Sequence, residues 1–396
     1  MRKTKFCEDC GKPSSCHIQT WLDGISGGLQ PLFLPRKLKL FFNFLLDNIF
    51  IFFNLLSMQD NFTSSDIQLK STCFIKEARK KGVRFKAFHG PFGYTNYFQA
   101  EINGKKYRFD GLPIADFTNK HRAQLVDNKG RTKRRLKEGG FPVAKGRVFW
   151  FWQKKKAIEF GMKEVKIPLV VKPRSGSGSR HVTTDIQNIQ QLRSAIDRAI
   201  IYSPVFIVEK FISNAFVYRA TVVDFDFIVC VKQVPANIVG DGISTIRELI
   251  DKKNKDPFRG RPNQKEFTLY KIVENEITRN LLAKRNYNYL SVPQKNETVW
   301  LQKNPFLKMG GGLVEVTSNV HPDNLLLFRN IVEFFGIKVV GIDFMCKDIS
   351  VSWKNQKCAI LELNSMPCIE LHHFPSEGKP QNVAGALVKL FFKYYL

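Results

Sequence analysis

The chemistry in this chain is concentrated in three short stretches. Residues 165–173 read VKIPLVVKP, an apolar run closed by Lys172. Directly after it come Ser175, Gly176, Ser177, Gly178, Ser179 and Arg180. Alternating Ser and Gly leaves little side-chain bulk, so backbone N–H groups can close on phosphate oxygens, with Lys172 supplying a positive charge. The loop has neither the Walker spacing nor the GxGxxG pattern, and alone it reads equally as a flexible surface loop. Residues 341–345 (GIDFM) set Asp343 in an apolar run, and residues 359–364 (AILELN) alternate. Glu362 and Asn364, at i and i+2 of a strand, share a face. Two acids and an amide form an oxygen set of the kind Mg2+ takes while phosphates fill its other positions. The alternative is a salt-bridged pair of strands.

Other residues need a setting before they mean anything. Residues 205–212 (VFIVEKFI) predict an apolar strand ending in Glu209 and Lys210, which suits the edge of a purine and equally suits an exposed ion pair. Cys7 and Cys10, with Cys16 and His17 following, resemble half of a zinc site, but no second pair follows at the usual distance.

The elements that must hold these residues follow from periodicity. Leu169–Val171 is expected as a buried strand, followed after the loop by a helix over Ile186–Ala199. Upstream, Thr72–Gly82 has helical spacing and ends in Lys-Lys-Gly. Val83–Phe88 alternates like a strand, and Tyr97–Phe109 reads as a hairpin turning at Asn103-Gly104. Residues 38–57 (LKLFFNFLLDNIFIFFNLLS) approach the length of a membrane span, but Asn43, Asp47 and Asn54 fall on one helical stripe. Asp47 at mid-bilayer would cost roughly 3 kcal/mol, so an amphipathic helix is expected, with peripheral membrane contact as its membrane reading. Residues 59–70 read as a polar linker.

Composition sets the outer limits. The chain has 396 residues, and its 62 Lys+Arg against 35 Asp+Glu give +27. That excess favours anionic partners without choosing among them. With 43% apolar and 24% charged residues, a wholly disordered chain, a collagen and a small disulfide scaffold are excluded. Apart from the first three, the eight cysteines stand singly, as reduced intracellular thiols do. No signal-peptide pattern is read at the N-terminus.

Taken in order, these motifs resemble the ATP-grasp superfamily of carboxylate–amine ligases. Residues 233–250 (QVPANIVGDGISTIRELI), 253–260 (KNKDPFRG), 311–322 (GGLVEVTSNVHP) and 372–378 (HHFPSEG) narrow the resemblance to the ligase module of cyanophycin synthetases and the glutathione-synthetase half of bifunctional glutathione enzymes. It covers roughly residues 71–391. It implies an α/β (α+β) ATP-grasp fold in which two lobes clamp ATP, preceded by a small N-terminal α/β region. The expected division is 1–70, an extension with the cysteine cluster and the amphipathic helix; 71–118, the small α/β region; and 119–396, the ligase domain. Neither of the further modules of those larger enzymes has room here, so a stand-alone ligase is expected.

The resemblance also assigns roles. Lys129 and Lys172 match the nucleotide lysines, Ser175–Arg180 the phosphate-covering loop, and Glu209, Lys210 and Ile212 the adenine hinge. Asp343, Glu362 and Asn364 match ligands for Mg2+, with two ions expected and Mn2+ as a substitute; a structural Zn2+ on Cys7, Cys10 and Cys16 is the weaker expectation. Arg219 matches an arginine at the acyl-phosphate site, and His321 and His372 match histidines on the substrate side. Departures fall mostly on that side: Val217 where an acid holds the ribose, Gln233 for an arginine, Lys308-Met309 for Ser-Thr, and Gln381 where an arginine is expected nearby. The expected activity is ATP-dependent joining of a carboxylate to an amine, with an amino-acid or acidic-peptide substrate, a homo-oligomeric cytoplasmic protein and no specific nucleic-acid partner. The alternative is a non-catalytic nucleotide- or nucleic-acid-binding protein on the same fold.

Overall fold

The computed structural model describes residues 17, 18, 21, 48, 49, 51, 52, 55–113, 120–174, 181–261, 264 and 266–395. The chain forms two compact units that interleave in sequence, one of residues 1–33, 121–216 and 342–364, the other of 34–120, 217–341 and 365–396. The motif carrying Cys7, Cys10 and Cys16, the loop Ser175–Arg180 and most of residues 38–57 lie outside the described residues.

The first unit is built on an antiparallel sheet whose strand order is Gly146–Trp150, Val205–Lys210, Leu169–Pro173, Thr183–Ile186. Alternation gives this sheet two unlike faces. Phe149, Phe206, Val208, Leu169 and Val171 point one way and are buried with Ala157, Leu192, Ala195 and Ala199 of the helices Lys154–Glu159 and Ile189–Tyr202. Gly146, Glu209, Val170 and Lys172 belong to the other face. The predicted helix at Ile186 begins three residues later. Ile186 is buried and pairs with Leu169 as the last strand residue. The helix starts at Asn188, whose side chain accepts a hydrogen bond from the Gln191 N–H at 2.9 Å.

In the second unit, Ser57–Gln59, Arg84–Gly90, Gly93–Ile102 and Lys105–Asp110 form an antiparallel meander. The hairpin turns at Asn103-Gly104 as expected, both with positive φ (49° and 75°), which suits Asn and Gly. Ser57 stands in the edge strand opposite His89 rather than ending a helix, because Met58 there meets Phe88. The helix Leu69–Arg79 packs Phe74 edge-to-face on Phe85, Phe109 and Phe391. A second antiparallel set, Gly312–Glu315, Phe227–Val234 and Phe216–Val223, lies in the order given. A smaller core forms around Ile238, Ile246, Ile250 and Val299, and the helix Ile246–Asn254 opens with a Thr245/Glu248 capping box. No described helix is long and apolar enough to cross a membrane.

Candidate active site

The first unit gathers most of the predicted nucleotide and metal residues. Lys129 opens the helix Lys129–Glu138, capped by Asn128, whose Oδ1 accepts from the Arg131 N–H at 3.1 Å. Lys133 stands one turn later on the same helical face. It meets the sheet on the face that carries Glu209 and Lys172. Lys172 Nζ is 2.6 Å from Glu209 Oε1, and Lys133 holds the other oxygen of that carboxylate. Glu209 is only 4% exposed. Burial alone would push its carboxyl up, but the ammonium groups of Lys172 and Lys133 outweigh that and hold it down at about 2. Burial also pushes the Lys133 ammonium down, against the pull of Glu209.

A glycine makes this arrangement possible. Gly146 lies opposite Glu209 in the ladder. A Cβ at position 146 would stand 2.5 Å from Glu209 Cβ, 2.8 Å from the Val208 carbonyl oxygen and 2.9 Å from Lys133 Nζ. The acid and the second lysine occupy the space of the missing side chain. Glu209 therefore sits among cations, whereas Lys210 turns to the backbone, donating to the carbonyls of Lys166 (3.0 Å) and Ile167 (2.6 Å). Ile212 follows two residues after that strand and is half-buried.

The acids come from the adjacent strands Val339–Cys346 and Cys358–Asn364. Asp343 is buried. Glu362 and Asn364 share a face as the alternation required, with Asn364 Nδ2 3.5 Å from Glu362 Oε1. The other oxygen of Glu362 lies 3.3 Å from Lys129 Nζ. The lysine predicted for nucleotide and the carboxylate predicted for metal thus meet directly. Among the described residues no three His, Cys, Asp or Glu side chains gather as a metal cluster. The donor set here is two carboxylates and an amide oxygen, which fits Mg2+ sharing its coordination with phosphates and does not fit a closed soft-metal site.

The second unit holds Arg219, His321 and His372. Arg219 is buried and lies on Gly341, where a Cβ would stand 3.1 Å from Arg219 Nη1 and 3.1 Å from Pro367 Cβ. Thr221, two residues on and so on the same face of the strand, meets Nε2 of the fully buried His372 at 2.8 Å. Burial, then Arg219 and His373, push the His372 imidazole down to about 3, so the ring is neutral. Among the described residues its Nδ1 has no hydrogen-bond partner. Nearby, burial raises the Glu370 carboxyl. His321 is the N-cap of the helix Pro322–Phe335, its Nδ1 accepting from the Asp323 N–H at 3.1 Å.

Of the residues that sequence reasoning missed, Lys133 bears most directly on the site; its signal was the i, i+4 spacing from Lys129. Thr221 carried the analogous strand signal, two residues from Arg219.

The chain has the ATP-grasp fold. It is similar over most of its length to cyanophycin synthetases and bifunctional glutathione enzymes. Cyanophycin synthetase of Trichormus variabilis (strain ATCC 29413 / PCC 7937) is 31% identical over 340 residues, 85% of this chain and 36% of that one. The glutathione biosynthesis bifunctional protein GshAB of Streptococcus mutans serotype c (strain ATCC 700610 / UA159) is 31% identical over 339 residues, 82% of this chain and 43% of the relative. The crystal structure of a bifunctional glutathione synthetase from Pasteurella multocida matches with a TM-score of 0.65 at 23% identity, over 83% of this chain and 44% of that one. The chain spans well under half the length of these curated relatives. No family model matches it.

Proposed function

We propose that this chain is an ATP-dependent carboxylate–amine ligase. A carboxylate oxygen of the first substrate takes the γ-phosphoryl group, releasing ADP. The nitrogen of an amine then attacks the acyl carbon, and phosphate leaves as the C–N bond forms and the nitrogen loses a proton. The observation that carries this reading is the meeting of Lys129 with Glu362, in the unit that also holds Lys172, Glu209 and Lys133. A triphosphate needs cations on its oxygens and a carboxylate-held divalent ion beside them.

In this reading Lys129 and Lys172 bind phosphate oxygens, Ser175–Arg180 covers them, and Glu209, Lys210 and Ile212 border the base. Lys133 keeps Glu209 ionised, so that Glu209 holds Lys172 in place until nucleotide competes for it. Asp343, Glu362 and Asn364 would hold Mg2+, two ions with Mn2+ as a substitute, and the bound metal would supply positive charge against the transferred group. Arg219 stabilises the oxyanion formed when the amine attacks. His372 is neutral and buried, so it positions Thr221 rather than titrating. The substrates proposed are an amino acid or acidic peptide and an amine, in a cytoplasmic homo-oligomer.

The test is release of ADP and phosphate by the purified chain with ATP, Mg2+ and pooled amino acids, with mass spectrometry of the products. Glu362→Gln should abolish amine-dependent release while the folded state persists. Full turnover by this variant would remove the metal assignment, and ATP binding with no turnover on a broad substrate panel would replace the ligase by a nucleotide-binding protein.

A further inference from the structure

A cavity of about 240 Å3 opens in the second unit beside the edge strand Gly312–Glu315. Its charged lining is Lys252, Lys253, Arg259, Asp256 and Glu377. All but Lys252 come from two motifs, residues 253–260 and 372–378, whose charged residues the ligase reading leaves without a task. Strand alternation separates it from Arg219. Arg219 lies opposite Val231, whereas the cavity residue Val234 lies opposite Gly312. Residues 231 and 234 are an odd number apart on a regular strand, so the cavity is on the face turned away from Arg219.

Arg259 and Lys253 form the buried side of the lining, and the exposed Lys252 and Glu377 form its rim. Arg259 is 4% exposed, and its Nη1 donates to the carbonyls of Tyr270 (2.8 Å) and Gly310 (3.1 Å). Lys253 Nζ donates to the Asn237 carbonyl (2.9 Å) and to its side-chain oxygen (3.3 Å), leaving one N–H of the ammonium. These acceptors are neutral. The nearest carboxylate to the guanidinium is Asp256, 3.8 Å from Nε and partly exposed. Burial pushes the Lys253 ammonium down and Arg259 adds to that, while Glu377 and Asp256 pull the other way. Counted over the whole lining, three cations face two carboxylates, a net positive charge that favours an incoming anion. Glu377 supplies the opposite sign. Its peptide is fixed by hydrogen bonds with Leu313 (3.1 Å) and Glu315 (2.9 Å). Among the described residues its carboxylate makes no hydrogen bond or ion pair.

We propose that this cavity binds a free α-amino acid, with the ligand's carboxylate on Lys253 and Lys252 and its ammonium on Glu377. A simple polyanion would meet two lining carboxylates, and a simple cation would meet three lining cations; a zwitterion satisfies both. The volume is below the roughly 300–1,000 Å3 of pockets that take drug-sized ligands, which suits a ligand of this size. The site lies away from the reaction side and does not rest on the ligase reading.

The experiment is isothermal titration of the full chain, without nucleotide, with each of the twenty L-amino acids and with inorganic phosphate. The expected result is that at least one amino acid binds wild type and Arg219→Ala alike, and that Glu377→Gln and Lys252→Met each weaken it tenfold or more. The matching carboxylic acid without its amino group should bind at least tenfold more weakly. Should Glu377→Gln not fold, Lys252→Met and the deaminated ligand still decide the matter. The proposal is overturned if no amino acid binds. It is also overturned if binding is lost in Arg219→Ala but unchanged in Glu377→Gln, which would locate it on the reaction side. Phosphate binding that Glu377→Gln strengthens would make this a plain anion site and overturn it too.

Discussion

Replacing Lys133 by methionine isolates the least expected part of the site. Glu209 is buried, with Lys172 on one oxygen and Lys133 on the other. Its carboxyl lies at about 2 against an ordinary 4.5, a difference equivalent to roughly 3 kcal/mol favouring the charged form in the folded state. The two ammonium groups produce that net effect against the burial penalty, so losing one should remove at least about 1.5 kcal/mol at pH 7. Any incomplete pairing of the remaining carboxylate adds to this, toward the 3–5 kcal/mol typical of breaking a buried ion pair. The folded-state pKa is depressed, so this stabilisation is complete above about pH 4.5 and disappears as pH falls toward 2. The assay is urea unfolding of wild type, Lys133→Met, Glu209→Gln and the double variant, at pH 7 and again near pH 3. Lys133→Met should cost most at pH 7 and somewhat less near pH 3, where the wild-type carboxylate is still mostly ionised. Its cost should shrink to a few tenths of a kcal/mol when Glu209 is already Gln. An equal cost in both backgrounds would refute the pairing and leave Lys133 as a packing residue.

Gly146→Ala should destabilise the first unit by about 1–3 kcal/mol, since the new methyl meets the Val208 carbonyl and Glu209 Cβ, and should weaken ATP binding; thermal unfolding with and without ATP reads both. His372 makes a separate contribution that is complete above the ordinary histidine value of 6.5 and falls as pH drops toward about 3, because the unfolded ring protonates first; His372→Gln should flatten that part of the stability-versus-pH curve. Asn254 clasps Ile272 through both backbone groups, each at 2.8 Å, so Asn254→Ala should cost about 1–3 kcal/mol in denaturant unfolding.

The site residues that the sequence made legible are those governed by short periods. Glu362 and Asn364 had to share a face, which holds; Lys172 was expected to end a buried strand, and the strand runs one residue further, to Pro173. The Asn103-Gly104 turn was legible because few residues take positive φ there. Lys133 was hidden in a run of basic residues where charge alone distinguishes none; its i, i+4 spacing from Lys129 gained meaning only through the contact with Glu209. Gly146 was equally silent, because its function is the absence of a side chain opposite a residue sixty-three positions away. Ile186 was assigned to the helix because its apolar side chain fits either period; pairing with Leu169 decides it. His321 matched a histidine on the substrate side, yet here its ring nitrogen closes a helix end, a task more often given to Ser, Thr or Asp.

The seating of Arg219 on Gly341 has a chemical corollary. The arginine fills a trough whose floor is bare backbone and whose wall is Pro367. Truncating it to alanine would leave a slot shaped for a planar cation, with no side chain at 341 to collapse into it. Added guanidinium could then lodge there as a detached surrogate, restoring turnover to the truncated protein in proportion to its concentration.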